Sequence, residues 1–132
     1  MMTADHAAGG LILVAEDEHL VREVAVRTLR HAGYDTLAAG DGEEAVCLFE
    51  EHREQIALVL LDVVMPRRSG REAYQRIREM RPDVPVLFST GYDPNADHAR
   101  FIVQENLRLL EKPFDPCDLL DAVREALEGA GS

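Results

Sequence analysis

The sequence contains no tryptophan, and aromatic residues make up only 5% of it, so any core must be built from the aliphatic side chains that dominate its 46% hydrophobic content. Cysteine is scarce too. Cys47 and Cys117 lie far apart in a chain with no signal-peptide pattern, which argues against a disulfide-stapled secreted scaffold. Each falls inside an apolar helical pattern and is expected to be a reduced packing residue. No apolar run approaches the roughly 20 residues of a membrane span. The longest, Ile56 to Leu61, is followed by a charge. Positive charge is also in short supply, with 14 Lys and Arg against 25 Asp and Glu and a net charge of -11. That balance opposes binding to nucleic-acid phosphates or to an anionic membrane surface, and the expected setting is the cytoplasm. Acidic excess alone is a solubility feature, so a functional argument must rest on where particular carboxylates fall.

What is present is a regular alternation. A chain of 132 residues is the usual size of one compact domain with a single core. Apolar runs at Leu11 to Ala15, Tyr34 to Ala38, Ile56 to Leu61, Val84 to Ser89 and Leu107 to Leu110 read as strands. The first, third and fourth are almost purely apolar, as strands covered on both faces should be. Between them run helical patterns. Val21, Val24, Ala25, Thr28 and Ala32 end at Gly33, a left-handed C-cap candidate. Asp41-Gly42 opens a second helix with Ala45, Leu48, Phe49 and His52 on one face. Ala73, Ile77 and Met80 stripe a third, stopped by Arg81-Pro82. The fourth, around Asn95 to Gln104, is the least regular, and the fifth starts near Pro116 and carries Leu119, Leu120, Val123 and Leu127. Five right-handed crossovers give a doubly wound α/β sandwich, with a parallel sheet between two helical layers. Residues 11–128 form the domain on this reading, with 1–10 and 129–132 as flexible tails.

In such folds chemistry gathers outside the carboxyl ends of the strands. Glu16-Asp17-Glu18 follows the first strand, Asp62 the third, Thr90-Gly91 the fourth and Lys112-Pro113 the fifth. An acidic pair after one strand is ordinarily a solvated turn, and one lysine says less. Their joint placement says more. Carboxylates converging at one edge repel each other unless a hard divalent cation joins them, and an all-oxygen set points to magnesium (or manganese). A hydroxyl and a lysine at the same edge complete a site suited to phosphoryl chemistry.

These blocks resemble the four signature blocks of response-regulator receiver domains: Leu11 to Glu18, Asp62 to Pro66 with Gly70, Val86 to Tyr92, and Glu111 to Phe114. The likeness runs from about Leu11 to Glu128. It implies a (βα)5 flavodoxin-like fold with strand order 2-1-3-4-5 and a role in phosphorelay signal transduction. By this resemblance Asp62 accepts the phosphoryl group. Glu16, Asp17, Asp62 and the backbone carbonyl of Val64 hold Mg²⁺, with Glu16 acting through a water. Thr90 is the switch hydroxyl, and Lys112 contacts a phosphoryl oxygen, its peptide bond to Pro113 being commonly cis in the family. The donor would be a histidine kinase or a phosphotransfer domain, and the output a change of affinity for a downstream partner. Lys112 and the cation should both favour the ionised, nucleophilic form of Asp62. The domain is expected to be a switch rather than an enzyme, and a monomer or weak homodimer.

Two positions depart from the family pattern. Glu16 replaces a frequent Asp, and Leu109 stands where many regulators carry a Tyr or Phe whose inward rotation reports phosphorylation. Tyr92 could gate the site or be a packed loop aromatic. None of His6, His19, His31, His52 and His98 sits in a histidine-kinase or phosphotransfer motif. The rival from another class, a haloacid-dehalogenase-type phosphatase, needs a second Asp two residues after the nucleophile, and that position is Val64. A flavodoxin-type flavin module is opposed by Glu16, Asp17 and Glu18, which would repel its phosphate. Sequence leaves open a stand-alone regulator or the receiver of a hybrid sensor kinase, which Phe88 to Tyr92 and Leu109 to Phe114 resemble.

Overall fold

The alternation folds as strands and helices in a computed structural model of the chain, whose described residues are 10–65, 67–91, 100–105 and 107–130. In order they are β1 (Leu11–Ala15), α1 (His19–His31), β2 (Asp35–Ala39), α2 (Gly42–His52), β3 (Ile56–Asp62), α3 (Gly70–Met80), β4 (Val86–Thr90), α4 (Arg100–Gln104), β5 (Arg108–Glu111) and α5 (Pro116–Ala130). The strands form one sheet in the order β2-β1-β3-β4-β5, every neighbouring pair parallel. This is the doubly wound architecture expected.

Side chains alternate across a strand, so the apolar central strands feed two cores at once. Leu13, Ala15, Val59 and Leu61 pack with α2, α3 and α4, whereas Ile12, Val14, Leu58 and Leu60 pack with α1 and α5. The few aromatics are concentrated. Phe88 of β4 meets Tyr74 of α3 and Phe101 of α4, each with ring centroids 5.2 Å away and edge-on, directly beneath the strand that ends in Thr90.

Local chemistry sets the helix ends. Gly33 has φ 103°, and the N–H groups of Gly33 and Tyr34 close the carbonyls of Arg30 and Leu29 as a left-handed cap requires. Asp41 caps α2 by accepting from the Glu44 N–H at 2.8 Å. Ser69 and Glu72 form a reciprocal capping box on α3, and Arg81, held extended before Pro82, ends it.

Several expected boundaries move. β2 and β5 each begin one residue later, and β4 starts at Val86 because the Val84 N–H turns back to the Arg81 carbonyl. β3 and β4 extend through Asp62 and Thr90, since ladder bonds continue there: Val63 N–H to Ser89 O at 3.0 Å and Lys112 N–H to Thr90 O at 2.7 Å. Asp62 and Thr90 are therefore held by the sheet. α5 continues to Ala130, inside the expected 129–132 tail. α4 is described from Arg100, while the earlier part of the expected fourth helix, Tyr92, His6 and His98 lie outside the described residues. Cys47 and Cys117 are free and exposed, not packing residues. Val46 and Phe49 take the inward face of α2, and Leu119 and Val123 that of α5, which turns both thiols outward. Among the described residues no helix is long and apolar enough to cross a membrane.

Candidate functional site

The carboxyl ends of β1, β3 and β5 bring Glu16, Asp17, Asp62 and Lys112 together. Glu16 and Asp62 are both 4% exposed, an unusual depth for two acids, while Asp17 is exposed at the mouth. One carboxylate oxygen from each of Glu16, Asp17 and Asp62 falls in a group whose atoms all lie within 4.8 Å of one another. Lys112, the only lysine in the chain, reaches between two of them. Its Nζ lies 2.6 Å from Glu16 Oε1 and 3.2 Å from Asp62 Oδ2.

Backbone groups hold Glu16, Asp62 and Lys112 in place. The Glu18 N–H donates to Glu16 Oε2 at 3.1 Å, so both Glu16 oxygens are engaged. The Val64 N–H donates to Asp62 Oδ1 at 3.3 Å. Gly70, opening α3, sits so close to the backbone of Asp62 and Val63 that a Cβ there would collide with both, and its N–H donates to Val63 O at 2.9 Å. Lys112 is anchored by its N–H on the Thr90 carbonyl and by a cis bond to Pro113. Thr90 stands beside this network. Its hydroxyl donates to the Gly91 carbonyl at 3.3 Å, and among the described residues the network of Glu16, Asp62 and Lys112 does not extend to it.

The electrostatics depart from expectation in one respect. Burial, followed by the Glu16 carboxylate, pushes the Asp62 carboxyl from its ordinary 3.8 up to about 7, and Lys112 only partly offsets them. Burial also opposes the Lys112 charge, but its hydrogen bond to Glu16 and the charges of Asp62 and Glu16 win, and its ammonium is held above the usual lysine range. Lys112 thus favours ionised Asp62 as anticipated, yet without further positive charge in the cleft Asp62 is half protonated near neutral pH. Two buried carboxylates sharing one ammonium leave a place for a cation.

A family profile, response regulator receiver domain, matches residues 12–124. The chain belongs to that family. This receiver is therefore a phosphorelay signalling domain, of a kind that works with histidine kinases or phosphotransfer partners. The response regulator receiver protein CpdR of Brucella abortus is 33% identical over 124 residues, covering 90% of this receiver and 98% of the relative. The sensor kinase CckA of the same organism is also 33% identical over 124 residues, which cover 94% of this receiver but 13% of the kinase. A solved receiver domain protein from Clostridium thermocellum superimposes with a TM-score of 0.84 at 28% identity, covering 92% of this receiver and 97% of that chain. The receiver spans less than two thirds of the longer curated relatives it matches, so what those proteins do as wholes does not carry over.

Outside the acidic cleft, an apolar groove of about 480 Å³ runs between the start of α1 and the loop after β5, lined by Leu20, Val21, Val24, Pro113 and Phe114 and sharing Lys112 with the cleft. Leu20 is 76% exposed and Val24 52% exposed. Helical periodicity places Val24 on a core stripe. The buried stripe is in fact narrower, Ala25 and Leu29, so the groove was not legible from spacing.

Proposed function

We propose that Asp62 accepts a phosphoryl group from a phosphohistidine donor, and that the modified receiver changes its affinity for a partner. The observation carrying this reading is the buried Asp62 carboxylate held between the Lys112 ammonium and the Val64 amide, with a second and third carboxylate within reach. One Asp62 oxygen attacks phosphorus in line, the phosphorus–nitrogen bond breaks, and its electron pair leaves with the donor imidazole, which is protonated from solvent. Lys112 stabilises charge on the transferring oxygens, and the Val64 N–H orients the attacking carboxylate. No side-chain base is needed, because the nucleophile is a carboxylate.

The donor set suits a hard cation, since Glu16, Asp17, Asp62 and the Val64 carbonyl offer oxygen only and two of the acids are buried together. With both its oxygens already engaged, Glu16 is assigned to act through a water. Magnesium or manganese bound there supplies positive charge that favours ionised Asp62 and neutralises phosphoryl oxygens. Thr90 is proposed as the switch hydroxyl, exchanging its bond to Gly91 for one to the phosphoryl group. Leu109, 39% exposed, has no aromatic ring to rotate inward, so Thr90 and the packing of Phe88 beneath it carry the response. The groove along α1 is the proposed seat of the donor helix, because a donor must cover the rim it shares with the cleft.

The test is labelling with a small acyl phosphate and Mg²⁺. Wild type should gain one phosphoryl group and lose it slowly, and Asp62→Asn should gain none. Equal labelling of both would overturn the assignment, and sustained turnover of phosphomonoesters would favour a phosphatase.

A further inference from the structure

The turn that carries two of the three clustered carboxylates is badly suited to hold itself. Glu16, Asp17 and Glu18 are consecutive acids that repel one another. Glu18 is the N-cap of α1 but makes no side-chain capping bond, which leaves the Glu18 N–H bond to Glu16 Oε2 at 3.1 Å as the local tie, and that bond does not reach Asp17. Asp17 is exposed, and among the described residues no hydrogen bond to its carboxylate is formed, so within them its backbone sets its position.

That backbone is held from outside the turn. Arg22, one turn into α1, sends Nη1 to the Glu16 carbonyl oxygen at 2.8 Å, while its Nη2 lies 3.1 Å from His19 Nδ1. Guanidinium only donates, so a hydrogen bond at this contact uses His19 Nδ1 as the acceptor. The same guanidinium reaches the turn after β2: a Cβ on Gly40 would stand 3.4 Å from Nη1. On the other side the Glu16 N–H donates to Ala39 O at 3.0 Å. The Glu16 peptide groups are thus clamped from both ends, and fixing the Glu16 carbonyl fixes the plane of the Glu16–Asp17 peptide and hence the direction in which Asp17 leaves it.

We infer that Arg22 is a positioning residue for the cation site, setting the Glu16–Asp17 peptide so that Asp17 stays within reach of Asp62. This inference rests on the cation reading above. Groups that orient metal ligands without touching the metal commonly change affinity by about 10–100-fold when removed. A guanidinium fork is not replaced by an ammonium, which keeps one donor but not the planar second contact.

The experiment measures Mn²⁺ binding by electron paramagnetic resonance for wild type, Arg22→Ala and Arg22→Lys, alongside exchange of the Glu18 amide in chelator. Arg22→Ala should weaken Mn²⁺ about ten-fold, and Arg22→Lys less. In labelling by acyl phosphate, Arg22→Ala should need about ten-fold more Mg²⁺ for half-maximal rate while keeping the wild-type plateau within about three-fold. The Glu18 amide should exchange faster in Arg22→Ala. Wild type that binds Mn²⁺ while Arg22→Ala matches it within two-fold would overturn the inference alone, as would unchanged Glu18 exchange. Wild type that fails to bind Mn²⁺ would overturn the cation reading and this inference with it.

Discussion

Replacing Asp62 by Asn should stabilise the metal-free protein, and more so as pH rises. A carboxyl that titrates near 7 when folded and at 3.8 when unfolded keeps its proton in the native state over a window where the unfolded chain has lost it. Native protein binds more protons there, so stability falls as pH climbs from about 4 to about 7 and then levels. The full difference corresponds to roughly 4 kcal/mol, and solvent at the mouth of the cleft reduces it to about 2–3 kcal/mol. Asn cannot ionise, and it leaves Lys112 paired with Glu16. In urea unfolding followed by circular dichroism with chelator present, the advantage of Asp62→Asn over wild type should grow by about 2 kcal/mol between pH 5 and pH 8. Saturating Mg²⁺ should then narrow the gap by stabilising wild type more than the variant. Parallel stability curves for the two proteins would refute the claim that burial and Glu16 raise the Asp62 pKa.

Two further perturbations separate scaffold from partner recognition. Gly70→Ala forces a Cβ into the Asp62 and Val63 backbone, and should cost roughly 1–3 kcal/mol in urea unfolding and slow labelling by acyl phosphate; wild-type values for both would contradict the close approach. Leu20→Asp places a charge in the apolar groove, and should slow transfer from a phosphorylated histidine kinase about ten-fold while leaving labelling by a small acyl phosphate unchanged. Equal slowing with both donors would place Leu20 in the cleft's own chemistry, and slowing with neither would remove the groove from donor docking.

Much of this molecule is readable from its residues, because its rules are local. The unbroken burial of Ile12 to Ala15, the Asp41 cap and the positive φ of Gly33 each follow from chemistry within a few positions. Glu16, Asp17, Asp62 and Lys112 converge because strand ends of a parallel sheet must share an edge. What was not legible depends on distance in space. The last residues of β3 and β4 belong to the sheet through bonds to neighbouring strands. Cys47 and Cys117 lie just off stripes whose burial depends on how each helix is rotated onto the sheet. The raised Asp62 pKa needs a depth and a Glu16 separation that no spacing supplies. Arg22 reads in sequence as an ordinary solvated helix arginine, and its bond to Glu16 spans six positions and a turn. The capping box of Ser69 and Glu72 is a missed local signal, since its serine-to-glutamate spacing is itself diagnostic.

The central claim is that Asp62, and no other carboxylate in the cleft, becomes the acyl phosphate. Borohydride reduction of the freshly phosphorylated protein converts an aspartyl phosphate to homoserine, and peptide mass spectrometry locates it. The account predicts homoserine at position 62 alone, in a reaction that requires Mg²⁺ or Mn²⁺. Reduction product at Glu16 or Asp17, or an unreduced Asp62 in protein that carries the label, would contradict it.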